Sequence, residues 1–471
     1  MSTENSQPID ERLLATLPEW AANLIRSQAE LIKSLQERVA SLEAQLRQNS
    51  RNSSRPPSSD GLRNSRPLTN QKRKQKPGGQ PGHEKNERPR LDPTEVREVF
   101  PESCKNCAEK LSGFDPEPRI HQWMELPDIQ PIVIEYQLHR LTCPKCGKET
   151  KAEPPVEHQR AFGPKVYAHV AHAIAVFRFS KRKLSQLLLE WIRLPVCAGT
   201  ICKMQGIVAK AIQPGINEIH DSIQNSANPL NVDETGFRSK GKRAFVWFAG
   251  NEYASRFHID KQRNRKAFKK LVGSFDGPIT TDRFSVYNHW DPGKRQFCWA
   301  HLFRDFEAVV QDKNATSWIG ENLGKQAKRM FRIWSKVRDG ILTRSEFANR
   351  YLPGLQSRVR RLLNEGFKHK PMRIGVLAKE LLAKWSALWL FAVTDGIEPT
   401  NNEAERQLRE LVIYRKVCIG VQSEQGAEFL AGMHSIVSTC RKQYINALKF
   451  ISETVGNYFA NTTPPKLIAV C

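Results

Sequence analysis

Three carboxylates stand out in an otherwise basic chain: Asp233 in NVDETGF, Asp282 in PITTDRF and Glu405 in NNEAER. The first two fall in stretches that read as strands, where carboxylates run against local propensity. Asp233 sits inside the first strand, just before Gly236, which predicts the end of tight pairing there. Asp282 closes the fourth strand, after Ile279, Thr280 and Thr281. Hard oxygen ligands at neighbouring strand ends suit Mg²⁺ or Mn²⁺, whose other positions go to water and phosphate oxygens. Two such ions about 4 Å apart activate an attacking oxygen and stabilise a leaving one in in-line phosphoryl transfer. A third acid is needed, and TNNEAERQLRELV offers two. Thr400 followed by Glu403 is a capping-box pattern, which sends Glu403 back to the helix N-terminus. Glu405 lies about 160° farther round the helix, with Asn401 one turn before it and Arg409 one turn after. It is the better ligand; the competing reading is a surface ion pair with Arg409. Asp305 and Asp395 are weaker rivals.

A different chemistry is written in the cysteines. CKNC at 104–107 and CPKCG at 143–147 are two CxxC turns separated by 35 residues. Cys104, Cys107, Cys143 and Cys146 have the number and local spacing of a closed, structural Zn²⁺ site. Cys298 and His301 form a lone CxxH, too few ligands for a closed site. His301 follows a strand, where it either touches a phosphate, steadies the acidic cluster, or is an ordinary core histidine. Walker, GxSxG and HExxH motifs are missing.

The elements that must position these groups are multidomain α/β. The 471 residues carry 73 Lys+Arg against 49 Asp+Glu, a net charge of +24. A surplus of that size points to nucleic acid, with an anionic membrane surface as the weaker alternative. No apolar run approaches a membrane span, and MSTENSQPIDE is no secretory signal. A cytoplasmic protein is expected, with cysteines as ligands or buried thiols rather than disulfides.

Within 17–49, Ile25, Ile32, Val39 and Leu46 recur every seventh residue, with Leu35 and Leu42 between. β-Branched residues alternating with Leu favour a parallel two-stranded coiled coil over a lone amphipathic helix. Residues 50–95 form a Pro-, Gly- and Ser-rich linker, basic and unable to build a core. The knuckles occupy 96–158. Residues 159–226 are helical, with a break at LPVCAG and a following helix capped by Thr200; helix-turn-helix and plain helical hairpin both fit. From 227 to 425 three strands, a helix and further strands predict a mixed sheet, with a helical, basic insertion over about 312–392. A helical region, 426–471, closes the chain.

NSSRPPSSD (52–60), KPGGQPGH (76–83), the CxxC pair, DET (233–235), CWAH (298–301) and NNEAER (401–406) occur in the order seen in IS66-family transposases of bacterial insertion sequences, which the whole chain resembles. The resemblance implies an RNase H-like catalytic domain with a DDE triad, carried over by motif to Asp233, Asp282 and Glu405. The acids are 49 and 123 residues apart, and the long second interval matches a helical insertion. Arg283 departs from the pattern, standing where a small residue is usual. The implied activity has two steps: water cuts the transposon end with the help of two Mg²⁺ (or Mn²⁺) ions, and the freed 3′-OH attacks target DNA. His301, Asn401 and Arg409 would support the site. The knuckles and the 159–226 helices would read terminal inverted repeats of double-stranded DNA, and linker and insertion would hold phosphates. A homodimer or higher synaptic complex is implied, located at the nucleoid when on DNA, with accessory proteins of the same element as possible partners. The alternative is a catalytically inactive DNA-binding regulator with the same fold; a junction nuclease without strand transfer is a third reading.

Overall fold

The computed structural model describes residues 16–46 and 88–468. The expected linker lies almost wholly outside the described residues, with its NSSRPPSSD and KPGGQPGH motifs. Helix α1 (Glu19–Leu46) begins after Pro18, with Glu19 in the first turn where the helix dipole favours a carboxylate. Ile25, Ile32, Leu35 and Val39 of the heptad all face solvent in the single chain.

Both CxxC segments form turns of one kind. The Cys104 N–H donates to Glu109 O, and Ala108 N–H to Cys104 O; Cys143 N–H likewise donates to Lys148 O, and Gly147 N–H to Cys143 O. Ala108 and Gly147 take matching left-handed conformations, φ 58° and 70°. Strands β1 (Arg140–Thr142) and β2 (Glu149–Lys151) pair antiparallel around the second turn.

A five-stranded mixed sheet follows: β3 (Leu230–Ser239), β4 (Lys242–Gly250), β5 (Ser255–Asp260), β6 (Ile279–Thr281) and β7 (Arg295–Phe297). The spatial order is β5-β4-β3-β6-β7. The first three strands pair antiparallel; β6 and β7 run parallel to β3. Helix α6 (Arg265–Val272; α2–α5 are given below) crosses from β5 to β6, capped by the Asn264 side chain, which accepts from Ala267 N–H. One expectation is corrected: Gly236 does not end the pairing of β3, which continues through Ser239 opposite Lys242. The missing side chain at Gly236 instead leaves room for Arg415, whose guanidinium donates to the Gly236 carbonyl.

Helices α2 (Pro164–Ala175), α3 (Lys181–Ile192), α4 (Ala198–Ala211) and α5 (Gln213–Gln224) share one core with the sheet and with α12 (Glu424–Lys442) and α13 (Ala447–Ala460). Thr200 does not cap α4. The helix starts two residues earlier, Cys197 is its N-cap, and Thr200 lies in the first turn beside the Cys197 sulfur, 3.2 Å away. Helix α12 covers the edge strand β5. Ser435 Oγ accepts from Phe257 N–H at 2.9 Å and Thr439 Oγ1 from Ser255 N–H at 3.1 Å, so buried hydroxyls satisfy an edge that would otherwise be unpaired.

His434 lies in the same buried helix. Burial holds its pKa down at about 4, helped by the charges of Arg178, Arg441 and His172 and opposed by the Ala175 backbone. The folded pKa is below the unfolded one, so this stability is present above about pH 6.5 and is lost as pH falls toward 4. Between about pH 7.5 and pH 5 the loss should be on the order of 2 kcal/mol, and His434→Leu should remove it. Urea denaturation at the two pH values measures it.

After β7 the chain enters α7 (Trp299–Gln311), α8 (Ser317–Arg338), α9 (Leu352–Phe367) and α10 (Arg373–Ala383), which with the turns to Ile397 build a second core rich in aromatics. Trp334 meets Phe347 and Phe391 edge-on, and its Nε1–H donates to Glu398. This unit is bonded to the sheet: the Gln296 side chain of β7 donates to Leu388 O at 3.4 Å and accepts from Phe391 N–H at 2.8 Å. The chain then returns as α11 (Asn402–Cys418). Gly420, just beyond it, has φ +95°, and a Cβ there would lie 2.2 Å from Arg238 O, where Val421 N–H bonds β3. Gly420→Ala should therefore cost on the order of 3 kcal/mol, read as a lowered Tm. Among the described residues, no helix is long and apolar enough to cross a membrane.

Candidate active site

The sheet register places the first two acids together. Asn231 of β3 pairs with Thr280 of β6 in parallel; two residues farther on come Asp233, still within β3, and Asp282, one residue past the end of β6. Asp233 Oδ1 accepts from Glu234 N–H at 2.9 Å, and Asp282 Oδ1 from Phe284 N–H at 2.8 Å. Among the described residues, no lysine or arginine pairs with either carboxylate. Asp233 is only partly exposed and ringed by protein. Burial first, then the charges of Glu234 and Asp282, raise its pKa well above the carboxylate range, against the pull of His301.

The backbone at Asp282 is held by Arg295, a charged residue buried in β7. Its Nε–H donates to Thr281 Oγ1 at 2.9 Å, one terminal nitrogen to Asp282 O at 2.7 Å and the other to Asn288 Oδ1 at 3.1 Å. Burial pulls its pKa down to about 10, which leaves it charged at neutral pH.

The third acid arrives where two helices begin. Cys298 caps α7 and Asn401 caps α11. Cys298 N–H donates to Thr281 O at 2.9 Å, beside Asp282, and Trp299 N–H to Pro399 O at 2.8 Å. Asn401 is fully buried; its side chain donates to Val232 O at 2.8 Å and its N–H to Cys298 Sγ at 3.2 Å. Glu405, one turn on, turns toward His301 (3.7 Å) and Arg304 (3.9 Å), not Arg409, which is solvent-exposed and outside the cluster. Cys298 Sγ, a His301 ring nitrogen and a Glu405 carboxylate oxygen lie within 4.8 Å of one another. Burial works against a charged His301, but the Cys298 sulfur and the charges of Asp282 and Asp233 outweigh it and lift the imidazole to about 9.

The rival acids are engaged elsewhere. The capping box at Thr400 does not form, because the N-cap is Asn401 and no side chain caps it; Glu403 accepts from Gln407 at 3.0 Å and pairs with Lys442 at 3.3 Å. Asp305 pairs with Arg283 at 2.9 Å, and exposed Asp395 pairs with Arg344 at 3.0 Å. Arg283 also reaches Glu380 of α10, so the departure from the small residue ties the Asp282 loop to the insertion.

Glu234, the second residue of DET, points to the other side of β3. It is buried against Arg263, whose Nε–H donates at 2.9 Å, and the Tyr287 hydroxyl. Burial, then the charge of Asp282, raises it to about 7, with Arg263 and Tyr287 pulling back. Arg263 stacks at 3.8 Å over Phe284, whose N–H holds Asp282. Sequence reading passed over Arg295, Arg263 and Glu234. Glu234 carries the signal that marks Asp233, a carboxylate within a strand, whereas Arg295 stands between Lys294 and Gln296 and carries none.

The cysteines of each knuckle contact one another but the two knuckles do not converge: no three of the sulfurs lie within 4.8 Å of one another, and among the described residues Cys298, His301 and Glu405 form the one such ligand cluster.

Residues 159–429 match the Transposase IS66 family, and residues 11–89 match a family of unknown function (DUF6444). The uncharacterized protein y4jD of Sinorhizobium fredii is 21% identical over 219 residues, 44% of this chain. The matched part spans 42% of that protein's length.

Proposed function

Since the chain belongs to the IS66 transposase family, we propose that it binds the terminal inverted repeats of an insertion sequence as double-stranded DNA, cuts the ends and joins the freed 3′-OH to target DNA. The observation that carries the reading is the pair Asp233–Asp282 at adjoining strands, with no lysine or arginine paired to either and with His301, 3.7 Å from Glu405, charged against both. The sheet order, three antiparallel strands followed by two parallel ones beyond a crossover helix, supports an RNase H-like core. Asp233, Asp282 and Glu405 would hold Mg²⁺ or Mn²⁺ as a DDE triad. The donor set fits: all three donors are carboxylate oxygens, and no lysine or arginine pairs with either Asp233 or Asp282. When bound, divalent cations supply charge compensation and Lewis acidity for in-line phosphoryl transfer. The chain's own contribution is position. Asn401 and Cys298 lock the third helix against β3 and β6, and Arg295 fixes the Asp282 backbone. Helix α8 turns Lys325, Lys328, Arg329, Arg332, Lys336 and Arg338 to solvent, a basic face suited to DNA phosphates. The test is cutting of a labelled duplex bearing the element's end with Mg²⁺ or Mn²⁺, abolished by chelator. Binding without cutting in either metal would sink the reading.

The exposed seam of α1 is assigned to a parallel coiled coil that pairs two chains, and hence two DNA ends. Leu35→Asp should convert a dimer to a monomer in sedimentation and remove the paired-end complex. A variant that stays dimeric contradicts the assignment.

The four knuckle cysteines are assigned to one structural Zn²⁺, which needs the two turns to close on each other. Backbone N–H groups, from Asn106 at Cys104 and Cys146 at Cys143, draw both thiols below their ordinary pKa and so favour thiolates. Cys104→Ser should remove one zinc per chain and weaken end binding about tenfold or more. Unchanged zinc content would count against it.

A further inference from the structure

Cys298, His301 and Glu405 bring together a thiol, an imidazole and a carboxylate, and the arrangement has two loose ends. His301 Nδ1 and Glu405 Oε1 are each buried without a hydrogen-bond partner, and they face each other at 3.7 Å. Buried polar atoms are rarely left without a hydrogen bond, so two on one spot, with Arg304 no nearer than 3.9 Å to the Glu405 oxygen, call for an occupant. The third donor is ready for one. Cys298 is 1% exposed, and its sulfur faces the start of α11, where it accepts the Asn401 N–H at 3.2 Å. The backbone carrying all three is rigid, because α7 and α11 start from a shared clamp of Cys298 N–H on Thr281 O and Trp299 N–H on Pro399 O.

We propose that Cys298, His301 and Glu405 bind a thiophilic divalent cation, Zn²⁺ before any other, in a three-ligand site beside Asp233 and Asp282. Donors around one Zn²⁺ sit about 3–4 Å apart, and the three atoms here already lie within 4.8 Å, so small side-chain rotations and release of the His301 ring proton to solvent suffice. The donor set decides the metal. Mg²⁺ takes oxygen ligands and has no use for a thiolate, whereas sulfur, nitrogen and one carboxylate oxygen suit Zn²⁺. Three protein ligands leave a position open for water or a phosphate oxygen, as in reactive rather than structural zinc sites. The inference deepens the triad reading and rests on it for any consequence in DNA cutting: one oxygen of Glu405 would serve the thiophilic ion and leave the other to the triad.

The test separates this site from the knuckles. Full-length protein with Cys104, Cys107, Cys143 and Cys146 all changed to Ser is purified without chelator, and its zinc is measured by mass spectrometry. About one zinc per chain should remain, and adding Cys298→Ser or His301→Gln should remove it. Replacement by Co²⁺ should give a thiolate-to-cobalt charge-transfer band in the four-serine protein that disappears with Cys298→Ser. Circular dichroism of His301→Gln guards against simple misfolding, since that residue adds nothing to either apolar core. The four-serine protein without zinc, or with zinc that survives Cys298→Ser, overturns the proposal. Both readouts are taken without DNA. Mg²⁺-dependent cutting with no thiolate-bound metal would therefore refute this site alone, and a thiolate-bound metal with no cutting under any cation would refute the triad alone.

Discussion

Replacing Asp282 or Glu405 with alanine is expected to lower metal-dependent cutting of a labelled transposon end by at least about 10³-fold while end binding is retained. The asymmetry follows from the geometry. The acids stand beside β3 and β6 and at the start of α11, whereas the basic face of α8 belongs to the helical unit with the second core. Stability should move the other way from activity. Asp233 has its pKa raised by burial and by Glu234 and Asp282, so its contribution favours folding below the unfolded pKa and is lost as pH rises through the folded one. Near neutrality the metal-free cluster thus opposes folding. Asp233→Asn should be inactive yet at least as resistant to urea as the parent in chelator. A variant that is both inactive and clearly less stable would place Asp233 among structural carboxylates instead.

Arg295→Met should rank second in effect. Arg295 is 1% exposed and holds three acceptors, one of them the Asp282 carbonyl. The guanidinium also lies 4.6 Å over the Phe297 ring. Methionine fills much of the volume but strands Thr281, Asn288 and the Asp282 carbonyl. The expected loss is about 3 kcal/mol in chemical denaturation, with cutting reduced at temperatures where the variant is still folded. Arg295→Lys should recover only part of either, because one ammonium cannot reproduce a planar fork aimed at three oxygens.

The parts of the site that could be read from the chain are those where a residue contradicts its own neighbourhood. Asp233 and Asp282 are acids in and just past apolar strands, and the choice of Glu405 over Glu403 came from helix geometry and motif; the structure places Glu405 beside His301 and Glu403 beside Lys442. The order and type of the sheet elements were equally plain in the alternation of Val, Ile, Phe and Trp. Local rules failed at boundaries. Helix α11 begins at Asn402, so Glu403 never occupies the capping-box position, and α4 begins early enough to place Thr200 inside it. Gly236 was read as a stop because glycine weakens strands, but Arg415 arrives from 179 residues away to pack where its side chain would be. The Cys298–His301–Glu405 cluster was illegible for a related reason: its third member is supplied by a helix that returns only after the whole insertion. Long-range closure of this kind leaves no mark in any local window.

That late return has a consequence for timing. The chain emerges from a ribosome at about 5–20 residues per second, and the 123 residues from Asp282 to Glu405 therefore take roughly 6–25 s. During that interval a growing chain already carries its knuckles, its helices and two of the three acids. It still lacks the helix that completes the cluster, and α12, which covers the β5 edge, comes later again. Under the proposed function, a nascent or prematurely terminated chain would meet DNA before it could cut, and the order of synthesis would itself act as a safeguard.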